Sequence, residues 1–491
     1  MIVPFIFNLY EYANEKPMFL WIFYKYINFC MKYNMPIIAQ EDMFIDPEKY
    51  KKINHSATKE NLLHYKIPNI DEVNSIVSEK ILKNDEANIL RSYKNTYEGW
   101  ISILEKRNND FEKIINRCID NIIEKKHEKI EAIITWVSFP SLIYCCKKKN
   151  IKLIQMELSS IREQSVYNTT LGYFCFDNKY SYNQVERDYK QISKENYNIF
   201  SRKELLALFL KKEYIKKYIT EIDNPEYFDF GIGFGLKNDP YEEIYSKYSE
   251  KEILKKVGVI CTNKAISVRS HPAYPHDLSK YGYIVDKSSN SFEWILKCKR
   301  IITNVSNVGY EAMLIGKTSY VLSENMPFGY LTINELDSYE DYIVDLKYLN
   351  YITFGFYVPY DLMFNIDYIK FRLNNPSIID IYNYNLNYIL KQKKIENIFN
   401  KKDKLSLILY KNLGFHNDEI EYIKNYNCYS LVNDLNMEIK NKQDTIEKMN
   451  NDINIKDRNI IMLNNELQSI INSKGWKFLD KLRRIKSKFT K

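Results

Sequence analysis

The chain has few of the residues that build metal centres and disulfide frameworks. Its eight cysteines include no CxxC pair and follow no regular spacing, and its six histidines are sparse. Zinc ribbons need closely spaced ligand pairs, and secreted disulfide scaffolds need a regular cysteine framework. The sequence therefore predicts buried free thiols and no metal site.

The motifs of several large enzyme classes are also missing. The chain contains no HExxH, no nucleophile elbow and no Walker motif. Gly231, Gly233 and Gly235 recur at every second residue, which is the period of a strand, and no GxGxxG follows them. These absences argue against a zinc protease, a serine hydrolase of the elbow type, a P-loop enzyme and a dinucleotide-binding enzyme.

Net positive charge is nearly absent outside the end of the chain. The formal net charge is +8, of which +7 lies in residues 473–491. A nearly neutral body argues against a nucleic-acid partner. The N-terminal segment MIVPFIFNLYEYANEKPMFLWIFYKY lacks a basic leader, and charged residues interrupt it before it could span a bilayer. A cytoplasmic location is predicted.

The pattern of strands and helices predicts an α/β chain of more than one domain, since 491 residues are many for one core. Residues 1 to about 130 are mostly helical in pattern, with extended pieces such as MPIIAQ. AIITWVSFP, a short helix and IKLIQMEL then form a βαβ pattern, and about four further β/α units fill residues 229–325. Two Rossmann-like domains facing across a cleft are predicted, with the active site between them.

The predicted boundaries divide the chain into five parts. They are an N-terminal Rossmann-like domain (1–228), a second Rossmann-like domain (229–385), a helical return or linker (386–428), a coiled coil (429–472) and a basic amphipathic tail (473–491).

A heptad repeat runs through the predicted coiled coil. One core position holds Ile439, Ile446, Ile453, Ile460 and Leu467, and the other holds Leu435, Lys442, Met449, Lys456, Leu463 and Ile470. The two lysines predict a coiled coil of modest stability. We expect it to form a homo-oligomer, with packing back onto the body as the alternative.

The tail, SKGWKFLDKLRRIKSKFTK, has the pattern of a basic amphipathic helix. Phe478, Leu482, Ile485 and Phe489 fall on one stripe, and Lys and Arg fill most of the remainder. Such a helix suits an anionic membrane surface, to which each basic residue contributes about 1 kcal/mol. The alternative is a solvated basic tail.

The strongest candidate for a ligand site is the strand, turn and helix in RIITNVSNVGYEAMLIGK. A turn of small residues before a helix allows backbone N–H groups to face an anion. Ser306, Asn307 and Gly309 would cradle a phosphate, and Glu311 would accept hydrogen bonds from ribose hydroxyls. His271, in VRSHP one β/α step earlier, would donate a hydrogen bond to the phosphate. The alternative is a capped helix in which Gly309 serves close packing.

These motifs resemble those of a known family. RSHP followed by SNVGYEAMLIGK resembles the nucleotide-binding half of the bacterial Kdo transferases of capsule and lipopolysaccharide synthesis, GT-B enzymes that use CMP-Kdo. IKLIQMELSSIREQSVYNTTLGYFCFDN resembles the retaining β-Kdo subgroup, whose pattern runs strand, E-x-x-x-x-R, then T-x-Y-F-D. GFGLKNDPYEEI is similar to that subgroup's strand-end segment before a helix. The likeness touches residues 130–330.

The resemblance implies a role for each candidate residue. Asp239 would be the carboxylate that attacks the anomeric carbon, Glu157 the acid/base, and Arg162 the partner of the donor's carboxylate. The nucleotide would be bound by Arg269, His271, Ser306, Asn307, Gly309 and Glu311. Simpler structural roles stay open: Asp239 as a helix N-cap, Glu157 as an exposed strand-end residue and Arg162 in a surface ion pair.

The resemblance also has departures. The family usually has Lys or a similar residue before HP, where this chain has Arg269 and Ser270, and GKP where this chain has Gly316, Lys317 and Thr318. Another CMP-linked ulosonic acid is therefore an open alternative to Kdo as the donor sugar. No metal and no cofactor is expected, because GT-B transferases generally stabilise the leaving phosphate with protein groups.

The predicted function is that of a retaining glycosyltransferase of surface polysaccharide synthesis, such as capsule, lipopolysaccharide or O-antigen. Its partners would be a CMP-activated sugar donor bound by the second domain, a glycan or glycolipid acceptor on the first domain, and the inner face of the cytoplasmic membrane. Two alternatives remain: a teichoic-acid-type transferase that uses a CDP-polyol, and a non-catalytic assembly scaffold.

Overall fold

The chain divides into two compact units, Met1–His416 and Asn417–Lys491. The computed structural model describes residues 1–9, 20–50, 66–176, 182–221, 228–235, 240–261, 265–271, 278, 282–323, 325–337, 340–393 and 417–489.

Twelve strands are present in the described residues of the first unit. They are β1 (Ile2–Ile6), β2 (Ile37–Gln40), β3 (Ser78–Ile81), β4 (Ala132–Thr135), β5 (Lys152–Leu158), β6 (Leu171–Phe176), β7 (Phe228–Gly233), β8 (Ile266–Arg269), β9 (Ile284–Val285), β10 (Cys298–Thr303), β11 (Thr318–Val321) and β12 (Tyr357–Pro359).

The α-helices of this unit alternate with the strands over much of its length. They are α1 (Leu20–Tyr33), α2 (Ile70–Asn74), α3 (Lys83–Leu90), α4 (Thr96–Glu105), α5 (Asn109–Lys126), α6 (Pro140–Lys148), α7 (Tyr182–Ile192), α8 (Arg202–Phe209), α9 (Lys212–Glu221), α10 (Pro240–Tyr245), α11 (Glu250–Ile260), α12 (Ser291–Leu296), α13 (Val308–Ile315), α14 (Leu346–Asn350), α15 (Tyr360–Met363), α16 (Ile366–Leu373) and α17 (Ile378–Gln392). A π-helix, Tyr351–Phe356, precedes β12, and 3-10 turns lie at Glu41–Phe44, Pro47–Tyr50 and Pro327–Leu331.

Seven strands form the first sheet, in the order β12-β6-β5-β4-β1-β2-β3. The five from β5 to β3 pair in parallel, whereas β6 and β12 are antiparallel additions at one edge. Strands β1, β2 and β4 are buried along their whole length, as expected for parallel strands covered by helices on both faces. The predicted βαβ unit is confirmed as β4, α6 and β5.

Five strands form the second sheet, in the order β11-β10-β7-β8-β9, and every pair in it is parallel. Phe230, Ile232, Val257 and Ile302 are fully buried in its core. Two Rossmann-like sheets in tandem are the α/β architecture of the GT-B class, so the predicted fold class is confirmed.

The edge strand β12 connects the two halves of the unit. It lies within residues 229–385, which the sequence assigns to the second domain, yet it pairs with β6 of the first sheet. Helices α15 and α16 follow it, and Leu362, Met363 and Ile369 are buried in the core of the first sheet. The chain therefore returns to the first domain from about residue 357 onward.

The second unit is helical in its described residues. A heptad helix, Asn417–Asn472, is followed by a terminal helix, Lys474–Phe489. The heptad helix begins within the segment that the sequence assigns to a linker. The helical character of this end of the chain is as predicted, and the pairing of heptad helices stays a prediction. In the described part of the chain, no helix combines the length and apolar character that a membrane span requires.

Candidate active site

Glu157 lies at the carboxyl end of β5, where parallel α/β sheets hold their ligands. Its side chain is half-buried, and one carboxylate oxygen accepts the N–H of Leu158 at 2.8 Å. Burial raises the pKa of Tyr26 and that of Tyr173 well above the usual range, and the charge of Glu157 adds to both shifts. The predicted acid/base therefore sits beside two buried phenols, one of which, Tyr173, is its cross-strand neighbour on β6.

The segment after β5 contacts the second domain. The Ser160 hydroxyl donates a short hydrogen bond to the backbone carbonyl of Asn307, which immediately precedes α13. Glu157 and Arg162 lie three and two residues from Ser160 in the sequence. The structure therefore brings the two segments that carry most of the predicted site residues into direct contact.

The turn between β10 and α13 is where the sequence predicts an anion site. Ser306 and Asn307 are partly exposed, and no described residue accepts the N–H of either one. The N–H of Val308 points to the Ser306 hydroxyl at 3.4 Å. Backbone N–H groups at the start of a helix attract a phosphate oxygen. The geometry therefore leaves the N–H groups of Ser306 and Asn307 available to a ligand.

Gly309 packs α13 tightly against β11. A Cβ atom at this position would lie 2.9 Å from Cε2 of Phe328 and 3.0 Å from Cγ2 of Val321. The Gly309 N–H is already donated to the carbonyl of Ser306 at 3.3 Å. These contacts give Gly309 the close-packing role that the sequence left open, and its contact with a phosphate stays a prediction.

Glu311 is a buried carboxyl group at the junction of the two domains, with 4% of its surface exposed. Burial raises its pKa to about 7, while hydrogen bonds with Ser291 and Tyr167 and the charge of Arg162 oppose that shift. Within the described residues, its Oε2 atom has no hydrogen-bond partner. Since buried polar atoms are normally paired, this oxygen is available to a hydroxyl donor such as that of a ribose.

Arg269 and His271 lie at the carboxyl end of β8. The Arg269 guanidinium forms a short ion pair with Asp286 and donates to the Ser288 carbonyl at 3.0 Å, with 15% of the side chain exposed. The arginine is thus held by its own domain, and its contact with a nucleotide stays a prediction. His271 is partly exposed, and residues 272–277 lie outside the described residues.

The predicted nucleophile, Asp239, lies outside the described residues, which resume with α10 at Pro240. Tyr241 of α10 packs against the core of the first sheet, and the Tyr97 hydroxyl donates a short hydrogen bond to Glu243. Tyr241 also adds to the raised pKa of Tyr173. The helix that follows Asp239 in the sequence therefore lies against the first domain, close to the strand neighbour of Glu157.

Several polar residues around the site were missed from the sequence. Ser160 contacts Asn307, and Tyr167 and Ser291 contact Glu311. Asn304 is buried at the end of β10, where its amide donates to Glu242 at 3.3 Å and to the Tyr248 carbonyl at 3.0 Å. Its position directly after a parallel strand is the signal that could have marked it.

The described residues contain no cluster of three or more His, Cys, Asp and Glu side chains that could hold a metal ion. The site is built instead from carboxylates, hydroxyls, an arginine and a helix start. These groups can bind a phosphorylated, hydroxyl-rich ligand and exchange protons with it.

One family model matches the chain. Residues 5–180 match the N-terminal domain of the glycosyltransferase 99 family. The matched range contains Glu157, Ser160, Arg162 and Tyr167, and the nucleotide-side residues lie beyond it. The match supports a glycosyltransferase. No curated protein sequence matches the chain.

Solved structures with some likeness to this chain include a transferase, an epimerase and a polymerase. The KpsC beta Kdo 2,7 transferase of Thermosulfurimonas dismutans is 15% identical, with 48% of this chain and 78% of that chain covered and a TM-score of 0.30. The UDP-GlcNAc 2-epimerase of Methanocaldococcus jannaschii is 10% identical, with 71% and 96% covered and a TM-score of 0.27. The wall teichoic acid polymerase TagF is 14% identical, with 84% and 88% covered and a TM-score of 0.19. Similarities this low do not establish a shared function.

Proposed function

We propose that this protein is a glycosyltransferase that transfers Kdo, or a related ulosonic acid, from a CMP-activated donor to a glycan or glycolipid acceptor of a bacterial surface polysaccharide. The hydrogen bond from Ser160 to Asn307 is the observation that carries the proposal. It joins the strand end that bears Glu157 to the turn suited to a phosphate. The match of residues 5–180 to a glycosyltransferase domain supports the same chemistry.

The donor would be bound mainly by the second domain. Its phosphate would accept hydrogen bonds from the N–H groups of Ser306 and Asn307 and from His271, with Arg269 nearby on β8. A ribose hydroxyl would donate to Oε2 of Glu311, which is buried and without a partner in the described residues. Arg162, which is exposed and lies on the first domain, would pair with the carboxylate of the sugar.

The transfer would proceed by two displacements at the anomeric carbon. A carboxylate oxygen of Asp239 would form a bond to that carbon while the bond to the phosphate oxygen breaks, and CMP would leave. The acceptor hydroxyl would then displace Asp239 as Glu157 removes its proton. Two inversions give net retention of configuration. No step requires a metal, since the helix start and His271 would stabilise the leaving phosphate.

The donor class is tested by incubating the protein with CMP-Kdo, CMP-sialic acid, CDP-glycerol and UDP-glucose and measuring the nucleotide released. Release of CMP from one of the two CMP-ulosonic acids, increased by an acceptor glycan, is expected. Release of CMP from CDP-glycerol alone would identify a polyol-phosphate transferase. Release from none of the four would contradict the proposal and favour a scaffold.

The protein would act at the inner face of the cytoplasmic membrane, bound there by its terminal helix. Trp476, Phe478, Leu479 and Leu482 of this helix are exposed. Lys and Arg side chains occupy much of the remaining helix surface. A helix with these two faces lies in the plane of an anionic lipid surface, with its apolar side chains below the headgroups.

A further inference from the structure

The heptad helix carries a long exposed apolar seam. The seam consists of Ile446, Met449, Ile453, Ile460, Leu463, Leu467 and Ile470, and each of these side chains is between 51% and 60% exposed. An apolar stripe of this length is unusual on the surface of a protein and normally marks an interaction site. Complete burial of one such side chain stabilises a complex by about 1.5–3 kcal/mol.

The spacing of the seam fits another helix of the same kind. Its members follow a strict seven-residue repeat, and such a repeat keeps the seam on one line only when two or more helices supercoil around each other. Four of the five residues at the first core position are isoleucine, and the second position holds two leucines, one methionine, one isoleucine and two lysines. β-branched residues at the first position with mainly unbranched or γ-branched ones at the second favour parallel pairs over larger bundles.

Charge complementarity favours a second copy of this chain in the same orientation. Lys456 occupies a core position, and Asp457 follows it at the position that flanks the core. In a parallel, in-register pair, the flanking residue of one helix lies beside the preceding core residue of the other. Lys456 of each copy would therefore meet Asp457 of the second copy. The lysine, which is unfavourable in an apolar core, would fix the register.

We propose that residues 435–470 form a parallel, two-stranded coiled coil with a second copy of this chain. The protein is then a homodimer, joined through a helix that lies outside the two Rossmann-like domains. This inference does not depend on the donor or on the catalytic residues, so the two can fail separately.

The mass of the full chain in solution tests the proposal. Sedimentation equilibrium at micromolar concentration is expected to give twice the chain mass of 58.9 kDa. The double variant Ile453→Asp, Ile460→Asp should raise the dissociation constant at least a hundredfold and give monomers. A monomeric wild type, or a mass of three or four copies, would overturn the proposal.

A matched control is present on the opposite side of the same helix. Ile455 lies two residues after Ile453, and Met462 lies two residues after Ile460. Their side chains are 55% and 56% exposed, against 52% for Ile453 and 55% for Ile460. The variant Ile455→Asp, Met462→Asp should remain a dimer. Equal dissociation of both double variants would contradict a seam-specific interface.

A substitution that strengthens the dimer distinguishes a change in the interface from misfolding of the helix. Lys456→Leu completes the apolar core and should lower the dissociation constant at least tenfold, a result that an unfolded helix cannot give. An unchanged or weaker dimer would place Lys456 outside the interface and overturn the assigned register.

Cross-linking tests the orientation of the two helices. Seven native cysteines are buried, and Cys428, which the repeat also places on the seam, is replaced by serine. In that background, oxidation should convert Leu463→Cys into a covalent dimer, because equivalent core residues meet only in a parallel pair. Met462→Cys should stay monomeric on a denaturing gel. Cross-linking of Met462→Cys without cross-linking of Leu463→Cys would contradict the parallel pair.

Discussion

At the scale of single residues, Glu311 connects the chemistry of the site to the stability of the protein. Its carboxyl group is enclosed by Tyr167 from the first domain and Ser291 from the second. Burial disfavours the charged form, and this is the main reason for its pKa of about 7. A group that binds a ribose hydroxyl through a free oxygen would become better paired when the donor is present.

The raised pKa of Glu311 predicts a specific pH dependence of folding. Its folded-state pKa of about 7 exceeds the usual value of 4.5, so its contribution to stability is complete below pH 4.5 and is lost as the pH rises through 7. Glu311→Gln removes this loss. Between pH 5 and pH 8, the variant should therefore gain up to about 3 kcal/mol relative to the wild type. Denaturant unfolding of both proteins between pH 5 and pH 8 measures this difference in the free energy of unfolding.

The control for this pH dependence is Glu163→Gln. The charge of Glu163 raises the pKa of Glu311, so its removal should lower that pKa. The loss of stability with rising pH should then be smaller and be complete at a lower pH, because the Glu311 carboxylate becomes easier to form in the folded protein. Parallel pH profiles for wild type and Glu311→Gln would show that Glu311 does not titrate in this range.

The sequence predicted the local part of the site better than its long-range contacts. Ser306, Asn307 and Glu311 belong to one strand, turn and helix, and their placement follows from local pattern. Tyr167 and Ser160 reach α13 from more than a hundred residues away. A single sequence without its fold contains no signal for such contacts.

At the scale of secondary-structure elements, the packing of α13 decides the position of the turn between β10 and α13. Gly309 faces β11, and Gly316 ends the helix with a φ of 95°, a left-handed conformation that glycine adopts without strain. The helix can approach the strand closely only because position 309 has no side chain. The position of the turn therefore depends on this contact.

Gly309→Ala tests that dependence. The added methyl group would meet the rings and methyls of Phe328 and Val321 at 2.9–3.0 Å, which should destabilise the fold by about 1–3 kcal/mol despite the better helix propensity of alanine. The comparison is Gly233→Ala, where the nearest atom would be 3.4 Å away and a smaller loss is expected. Equal unfolding midpoints for wild type and Gly309→Ala would show that the contact is not tight.

Elements near the N-terminus show where sequence patterns mislead. Residues 1 to about 130 are mostly helical in pattern, yet β1 is a central strand of the first sheet. Its run IVPFI is apolar throughout, and a short continuous apolar run does not distinguish a buried strand from a buried helix. The alternating β/α pattern of residues 132–158 was clear because each element is bounded by polar or turn residues.

The terminal helix is predicted to bind anionic membranes through its charge. Lys477→Gln, Lys481→Gln and Arg483→Gln together should weaken binding to vesicles with anionic lipid about a hundredfold at low salt, since each basic residue contributes about 1 kcal/mol. Vesicle sedimentation measures the effect, with neutral phosphatidylcholine vesicles as the control. Unchanged binding of the triple variant, or equal binding to neutral vesicles, would exclude an electrostatic anchor.

At the scale of the whole molecule, the proposals give the two Rossmann-like domains and the helical unit separate tasks. The first unit would hold donor and acceptor at the contact between its sheets. The heptad helix would join two copies, and each copy would contribute one terminal helix to the membrane. Two linked anchors bind a surface more strongly than either does alone, so dimerisation and membrane binding would reinforce each other.

Asp239 and Glu157 are proposed to carry out a CMP-releasing transfer, so the release of CMP from the preferred donor should depend on both carboxylates. Asp239→Asn should reduce the release about a thousandfold or more, and Glu157→Gln should reduce acceptor-dependent transfer about a hundredfold or more. The control variant Asp229→Asn changes a carboxylate at the start of β7. It should release CMP at close to the wild-type rate and unfold at the same temperature as the wild type. Near-normal CMP release by Asp239→Asn would exclude Asp239 as the nucleophile.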